Sequence, residues 1–400
     1  MNLLFTFTSN LFFLWVARNT FYWVTIWQRC AYRPDRFFDF LKRKKQKIKR
    51  ITSPFIVARW LLFLLFIVSI FQESLLFYFQ YGVALFFFAQ SLVVVREVFH
   101  NTLKKPHITF RSVFTTSVTL AIVFVIFAIP LLDKFLWLLL IDLCIFILVT
   151  LIVFIFSFPI EIYSDMQIEK AVRKLRLHPK LLTIAVTGSR GKSGTKDAIA
   201  AVLGKKFKII KTEGSDNTAS GIARTILTQL EDNTDIFVAE LSAYKRGEIR
   251  SLCKMIHPKI GVLTIINNHH LSLFKSLENI KRTNYELVTE LPKDGFCLYN
   301  GTSKNTYSLY HKSRKPKVLY MCINYLPTKR ESQKYKKDIL AVVNSQKKKT
   351  SVDVYLKNKF FHFNLTSPAH IEHILPAIFL ANYFGMSERE IKRAIASLKW

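Results

Sequence analysis

The sequence predicts two regions of different class: an α-helical transmembrane region up to residue 158, and an α/β phosphate-loop domain with a mostly parallel sheet from residue 181 onward. Three observations carry that prediction. Up to about Phe158 the chain is dominated by Phe, Leu, Ile and Val, in stretches close to the roughly 20 residues that a helix needs to cross a bilayer. Beyond it, short β-type runs alternate with segments of helical spacing, the pattern of a parallel sheet. Between them, an apolar run from Leu181 to Val186 turns through Gly188 and Gly191 into a helical pattern. Such a turn aims bare N–H groups and the positive end of a helix dipole at one point.

The chain has 400 residues, room for more than one domain, and a net charge of +31. Its basic residues cluster beside the hydrophobic stretches. There they face anionic lipid headgroups, so membrane lipid is the expected partner and nucleic acid is not. The five cysteines form no C-x-x-C pair, which argues against a disulfide framework and a zinc site.

Five apolar segments are read as spans: residues 3–27, 55–71, 75–95, 113–132 and 135–158. No charged start with a small-residue cleavage site marks the first as a signal peptide. The loop at 29–50 carries Lys42, Arg43, Lys44, Lys45, Lys47, Lys49 and Arg50, and the loop at 96–111 carries Lys104 and Lys105. Placing both loops in the cytoplasm puts the N-terminus outside and everything after Phe158 inside. The expected location is the bacterial inner membrane, as a multi-pass protein. Arg59 and Asp142, lone charges within spans, are read as helix-pairing or snorkelling groups. Residues 159–180 are amphipathic and read as a connector helix.

In the glycine turn, Lys192 can reach β- and γ-phosphates and Ser193 can offer a hydroxyl to Mg²⁺. The match to G-x-x-x-x-G-K-[ST] is partial, because its first glycine falls at Val186. A short strand is expected at 208–212, a polar loop at 213–218, and a helix through Ile222, Ile226 and Leu230. Strands are expected at 235–241, 259–266 and 296–299, with helices at 247–256 and 278–291 between them. Three polar clusters then fall at strand ends, where open α/β sheets bind ligands: Gly188–Ser193, Glu240–Ser242 and 267–270. A carboxylate near a phosphate loop is what a Mg²⁺ site requires, although Glu240 alone reads equally well as a salt-bridge acid. Residues 304–349 are basic and weakly patterned. Residues 352–356 and 360–365 read as a hairpin, and 370–399 as a helix pair with Ser387 capping the second helix.

Residues Val186–Ser193, Glu240–Ile249 and the run 257–300, with His270, Phe274, Ser276–Ile280 and Leu291–Gly295, resemble the central ATP-binding domain of the Mur ligase family. The resemblance spans roughly residues 181–400 and is nearest to the branch that adds D-alanyl-D-alanine to a muramoyl-tripeptide. It implies an ATP-dependent acid–amino acid ligase of peptidoglycan synthesis, using ATP and Mg²⁺. A muramoyl-peptide precursor and an amino acid or dipeptide would be the substrates. It implies that Gly188, Ser189, Arg190, Gly191, Lys192 and Ser193 hold the phosphates and that Asn300 contacts the nucleotide. Ser193, Glu240 and His270 would hold metal, with Lys192, Glu240 and His270 catalytic. Asn217 and Thr218 would form the loop toward the acceptor.

The sequence also departs from the family pattern. Asn284 stands where the family has a carbamylated lysine, and Ile265 where an asparagine precedes the histidine motif. Membrane spans stand in place of a UDP-binding domain. The family's C-terminal closing domain is expected outside this chain, supplied by a separate domain or partner subunit. Two further readings stay open. Arg190–Ser193 also resembles the phosphate loop of poly-γ-glutamate synthases, and a non-catalytic ATP-binding scaffold could descend from such a ligase.

Overall fold

In the computed structural model the protein begins with α-helices, two of which extend beyond their apolar stretches into charged sequence. The structure describes residues 2–129, 133–214, 216–268, 271–323, 339–346, 349–356, 359–365 and 371–398. The chain divides into two compact units, Met1–Ile162 and Tyr163–Trp400.

The first unit is a helical bundle made of α1 (Asn2–Arg29), α2 (Pro34–Phe71), α3 (Ser74–Phe99), α4 (Phe110–Ala128) and the first part of α5 (Lys134–Arg176). The segments 3–27, 55–71, 75–95 and 135–158 each lie on one of these helices, and residues 113–128 of the fourth lie on α4. By length and composition α3, α4 and α5 could cross a membrane, and Phe55–Phe71 of α2 is a shorter apolar stretch. The bundle core is aromatic, with Phe12, Trp27, Phe37, Phe79 and Phe87 fully buried. Trp27 stacks on Phe37 at 3.8 Å between ring centres. Arg59 and Asp142, lone charges in the sequence, pair with each other. Residues 159–180 do not form a separate connector: α5 runs unbroken to Arg176 with Pro159 inside it.

Among the described residues, the second unit is built on a nine-stranded sheet. Its strands are β1 (Leu182–Thr187), β2 (Ile209–Lys211), β3 (Ile236–Glu240), β4 (Ile260–Leu263), β5 (Phe296–Asn300), β6 (Lys317–Ile323), β7 (Ile339–Gln346), β8 (Lys349–Leu356) and β9 (Lys359–Leu365). The order is β2-β3-β1-β4-β5-β6-β7-β8-β9. Pairing is parallel from β2 through β7 and antiparallel from β7 to β9. The hairpin at 352–365 is thus present. The strands β6 and β7 and the helix α11 (Lys304–Lys312) occupy the stretch whose pattern was too weak to read.

Helices cover both faces. On one lie α6 (Lys192–Leu203), α12 (Ile371–Tyr383) and α13 (Glu388–Ala396), packed on Ile184, Val186, Val238 and Val262. On the other lie α7 (Ala219–Gln229), α8 (Glu248–Ile256) and α10 (Leu277–Glu290), packed on Ala185, Phe237, Ala239 and Leu263. The short α9 (Leu271–Phe274) precedes α10. Alternate residues of β1 and β3 therefore feed two separate cores, as the two-residue period of a strand demands. Side-chain caps from Thr218, Ser276, Ser303 and Ser387 start α7, α10, α11 and α13. Ser387 forms a full capping box with Glu390.

The order also locates the site. The chain leaves β1 toward β2 and β3 on one side and reaches β4 on the other, so the carboxyl ends of β3, β1 and β4 border a switch-point crevice.

Candidate active site

The turn after β1 is held open by backbone geometry that only glycine adopts without strain. Gly188 has φ +146°, and a Cβ there would lie 2.1 Å from the Thr264 hydroxyl oxygen. Gly188→Ala is therefore expected to cost about 2–4 kcal/mol, from strain and overpacking together, read as a lower denaturant midpoint. Gly191 has φ +89° and is the N-cap of α6, with no side chain capping the helix. α6 thus differs from α7, α10, α11 and α13: its first-turn N–H groups are left for an external acceptor.

Not every amide of the turn faces outward. The N–H groups of Ser189 and Arg190 both donate to the Ile265 carbonyl, at 2.8 and 3.2 Å. The Ser189 hydroxyl accepts from the Asn267 N–H at 3.2 Å. These bonds staple the turn to the end of β4, so Ser189 and Arg190 shape it and the N-terminus of α6 supplies the open donors. Ser193 is exposed at that N-terminus.

Three charged side chains converge below the turn. Lys192 donates to the Gly188 carbonyl at 2.9 Å. Burial lowers the Lys192 ammonium below the usual lysine value, and the Glu240 carboxylate partly offsets this. Glu240 ends β3, opposite Val186 in register, and is 2 % exposed. Its Oε1 accepts from the Asn217 amide at 3.1 Å, and its Oε2 is buried without a hydrogen bond. The Lys196 ammonium lies 3.8 Å from that Oε2 and donates to the Thr212 carbonyl at 2.7 Å. Thr212 also accepts the Glu240 N–H through its hydroxyl, at 3.0 Å.

An anion bound at the turn needs Lys192 protonated. Because its folded value is lowered, the proton is lost at a pH below the 10.5 of an ordinary lysine. Nucleotide affinity is expected to fall as pH rises through that lowered value, ahead of ordinary lysine titration, and the decline should vanish in Lys192→Ala. Affinity measured across alkaline pH checks this.

The remaining predicted residues divide. Asn217 reaches Glu240 and belongs to the cluster. Thr218 caps α7, accepting from the Gly221 N–H at 3.4 Å. Asn300 ends β5, 1 % exposed. Its oxygen accepts from the Thr302 and Ser303 N–H groups at 2.9 and 3.2 Å, and its amide donates to Glu372 at 3.3 Å. Its hydrogen bonds thus order the turn after β5. His270 and its neighbour His269 lie outside the described residues, and among the described residues no cluster of three His, Cys, Asp or Glu forms a metal site.

Several residues at the site have no strong local signal. Lys196 sits on the inward stripe of α6 with Thr195, Ile199, Val202 and Leu203, a spacing that could have flagged it. His373 comes from α12, about 180 residues away in sequence; its ring fills the space beside Gly191 and Gly194 and meets the Thr195 hydroxyl at 3.2 Å. Asn284 is buried. Its oxygen lies 3.0 Å from the Thr187 hydroxyl at the end of β1, and its amide donates to the Ile280 carbonyl at 2.8 Å. The Asn284 side chain is thus a neutral tie between α10 and β1.

Residues 186–380 match the Mur ligase middle domain. Among curated relatives, UDP-N-acetylmuramoyl-tripeptide–D-alanyl-D-alanine ligase of Bacillus subtilis is 37% identical over 133 residues, 32% of this chain and 29% of the relative. The enzyme of the same name from Rickettsia prowazekii is 27% identical over 221 residues, 54% of this chain and 46% of the relative. The chain therefore spans less than half of either relative's length. Among solved structures, MurF from Acinetobacter baumannii aligns at TM-score 0.52 and 18% identity, over 59% of this chain and 50% of that one. MurF ligase from Thermotoga maritima, solved in complex with ADP, aligns at 0.50 and 21% identity, over 59% and 52%. At these identities the structures show a shared fold. Within the second unit, residues 186–380 thus match the Mur ligase middle domain, the family that the glycine turn, Glu240 run and 257–300 run resemble.

Proposed function

We propose that this protein is a membrane-anchored, ATP-dependent acid–amino acid ligase that extends a muramoyl-peptide precursor. The observation that supports this most is the convergence of Lys192, Lys196 and Glu240 beneath the uncapped N-terminus of α6. In this reading the nucleotide's β- and γ-phosphates sit on the first turn of α6. Lys192 neutralises charge that develops on the γ-phosphoryl group as it leaves ADP. A substrate carboxylate oxygen attacks the γ-phosphorus, giving an acyl phosphate. The incoming amine attacks the carbonyl carbon, inorganic phosphate departs, and the nitrogen loses a proton.

The donor set fits Mg²⁺. The cation prefers hard oxygen ligands shared with phosphates, and the Glu240 Oε2 is a buried carboxylate oxygen with no hydrogen bond. Glu240 and the Ser193 hydroxyl would hold it, and the resemblance implies that His270 helps to hold a second metal. When bound, the metal supplies charge neutralisation across the phosphates. The Lys196 ammonium stands beside one carboxylate oxygen of Glu240, and the Asn217 amide holds the other.

Helices α3, α4 and α5 support the anchoring, and the basic residues Lys42–Arg50, which lie on the first half of α2 and not in a loop, with Lys104 and Lys105, support a cytoplasmic nucleotide site. The amine is proposed to be D-alanyl-D-alanine. Incubating the full chain with ATP, a muramoyl-tripeptide and equal D-alanyl-D-alanine and glutamate tests this: the dipeptide adduct is expected, and a glutamyl product favours the poly-γ-glutamate reading. A closing domain, on the same polypeptide or on a partner, is part of this proposal.

One observation favours a second reading, a nucleotide-binding scaffold. Asn284 cannot form a carbamate, and it is tied to Thr187 and Ile280. The ligase reading therefore predicts turnover that is indifferent to bicarbonate. Nucleotide binding with no amide product, even with a separately supplied closing domain, would favour the scaffold.

A further inference from the structure

The start of α12 meets the phosphate turn from a distant part of the chain. Gly194 is the third residue of α6, and its backbone has no positive φ that would call for glycine. Glycine inside a helix is less stable than alanine, so its presence there needs another reason. A Cβ at Gly194 would lie 2.8 Å from Cδ2 and 3.0 Å from Nε2 of His373, and one at Gly191 would lie 2.9 Å from its Cε1. The imidazole therefore rests on the bare backbone of the first turn of α6, closer than a side chain at either position would allow. Its Nδ1 lies 3.2 Å from the hydroxyl oxygen of Thr195, which is 1 % exposed. The Thr195 N–H donates to the Gly191 carbonyl at 3.0 Å, so the contact with His373 extends to the N-cap of α6.

The preceding residue makes a second tie. Glu372 accepts from the Asn300 amide at 3.3 Å, at the end of β5. Two consecutive residues of α12 thus hold the ends of two strands, His373 the turn after β1 and Glu372 the turn after β5. Ile371, Ile374 and Leu375 on either side of them are buried in the core shared with α6, which fixes the first turn of α12 against that helix.

We propose that His373 is a positioning residue of the nucleotide site. Its ring holds the first turn of α6 in place, so that the open N–H groups and Lys192 are aimed at the phosphates before the nucleotide arrives, and binding is spared the cost of ordering them. Gly194 is glycine because the ring occupies the space of its side chain. The inference rests on the nucleotide-binding part of the reading above and is independent of which acceptor or amine is used.

The test measures binding of β,γ-methylene ATP with Mg²⁺ to the full chain in nanodiscs by calorimetry, with the thermal midpoint of each preparation. His373→Ala should weaken binding about tenfold or more, the scale of a small misplacement of binding groups. Its midpoint should also fall, because a space opens beside α6. Adding Gly194→Ala to that variant returns a methyl to the space and alanine to the helix, so the midpoint should recover while the affinity does not. His373→Asn keeps a polar atom for the Thr195 hydroxyl and should recover most of the affinity. Unchanged affinity in His373→Ala, affinity that recovers together with the midpoint in the double variant, or an asparagine variant as weak as alanine would overturn the proposal. A parent chain that binds no analogue would overturn the nucleotide reading itself, and this inference with it.

Discussion

Lys192→Ala is expected to lower acceptor-dependent ATP turnover by about 10²–10³-fold, the usual loss when one preorganised group facing transition-state charge is removed. The fold should survive the change. Among the described residues the Lys192 ammonium makes its hydrogen bond to the Gly188 carbonyl, within its own turn. Burial of the charge is a cost in the ligand-free state, shown by its lowered proton affinity, so the alanine variant should be no less stable. Turnover and the unfolding midpoint, measured on one preparation, separate the two effects. A variant that loses both would make Lys192 a structural residue.

The second large effect concerns the pair beneath it. Lys196 is 1 % exposed and Glu240 2 % exposed, with 3.8 Å between ammonium and carboxylate oxygen. Removing one partner of a buried pair strands the other charge. Glu240→Leu is therefore expected to destabilise the domain by about 3–5 kcal/mol and to abolish turnover. Lys196→Met in the same chain should restore much of the stability and none of the activity. The coupling energy of this cycle is expected at about 1–3 kcal/mol, from chemical denaturation of the four proteins. Additive effects would mean that the Thr212 carbonyl, and not Glu240, holds Lys196 in place.

That pair also marks where local reading of the sequence succeeds and where it stops. Gly188, Gly191, Lys192 and Glu240 are legible because each sits at the end of an apolar strand run, and a strand-to-helix turn is a local event. The alternating cores on β1 and β3 follow from the same local pattern. Lys196 was within reach, since it falls on the apolar stripe of α6. His373 was not: nothing near Ile371 shows that α12 packs against the phosphate turn, a contact set by the tertiary fold.

Asn300 illustrates the converse. Its position at a strand end is readable, but its hydrogen bonds to Thr302, Ser303 and Glu372 depend on a turn and a distant helix. The edge of the sheet escaped for another reason. β6 is apolar after Lys317, and β7 is apolar from Ile339 to Val343 and polar after it, so neither shows the two-residue alternation that marks a half-buried strand. In the first unit, each apolar segment was visible, whereas the pairing of Arg59 with Asp142 needed two helices to be brought together.

The central claim is that the turn at Gly188–Ser193 uses ATP to activate a carboxylate. The most direct measurement supplies the full chain with ATP, an amine and a muramoyl-tripeptide whose terminal carboxylate is enriched in heavy oxygen. Acyl phosphate formation and attack by the amine predict that one labelled oxygen appears in each inorganic phosphate released, and that Lys192→Ala abolishes the transfer. ATP consumed with unlabelled phosphate, or ATP bound and never consumed in the presence of a closing domain, would contradict the account.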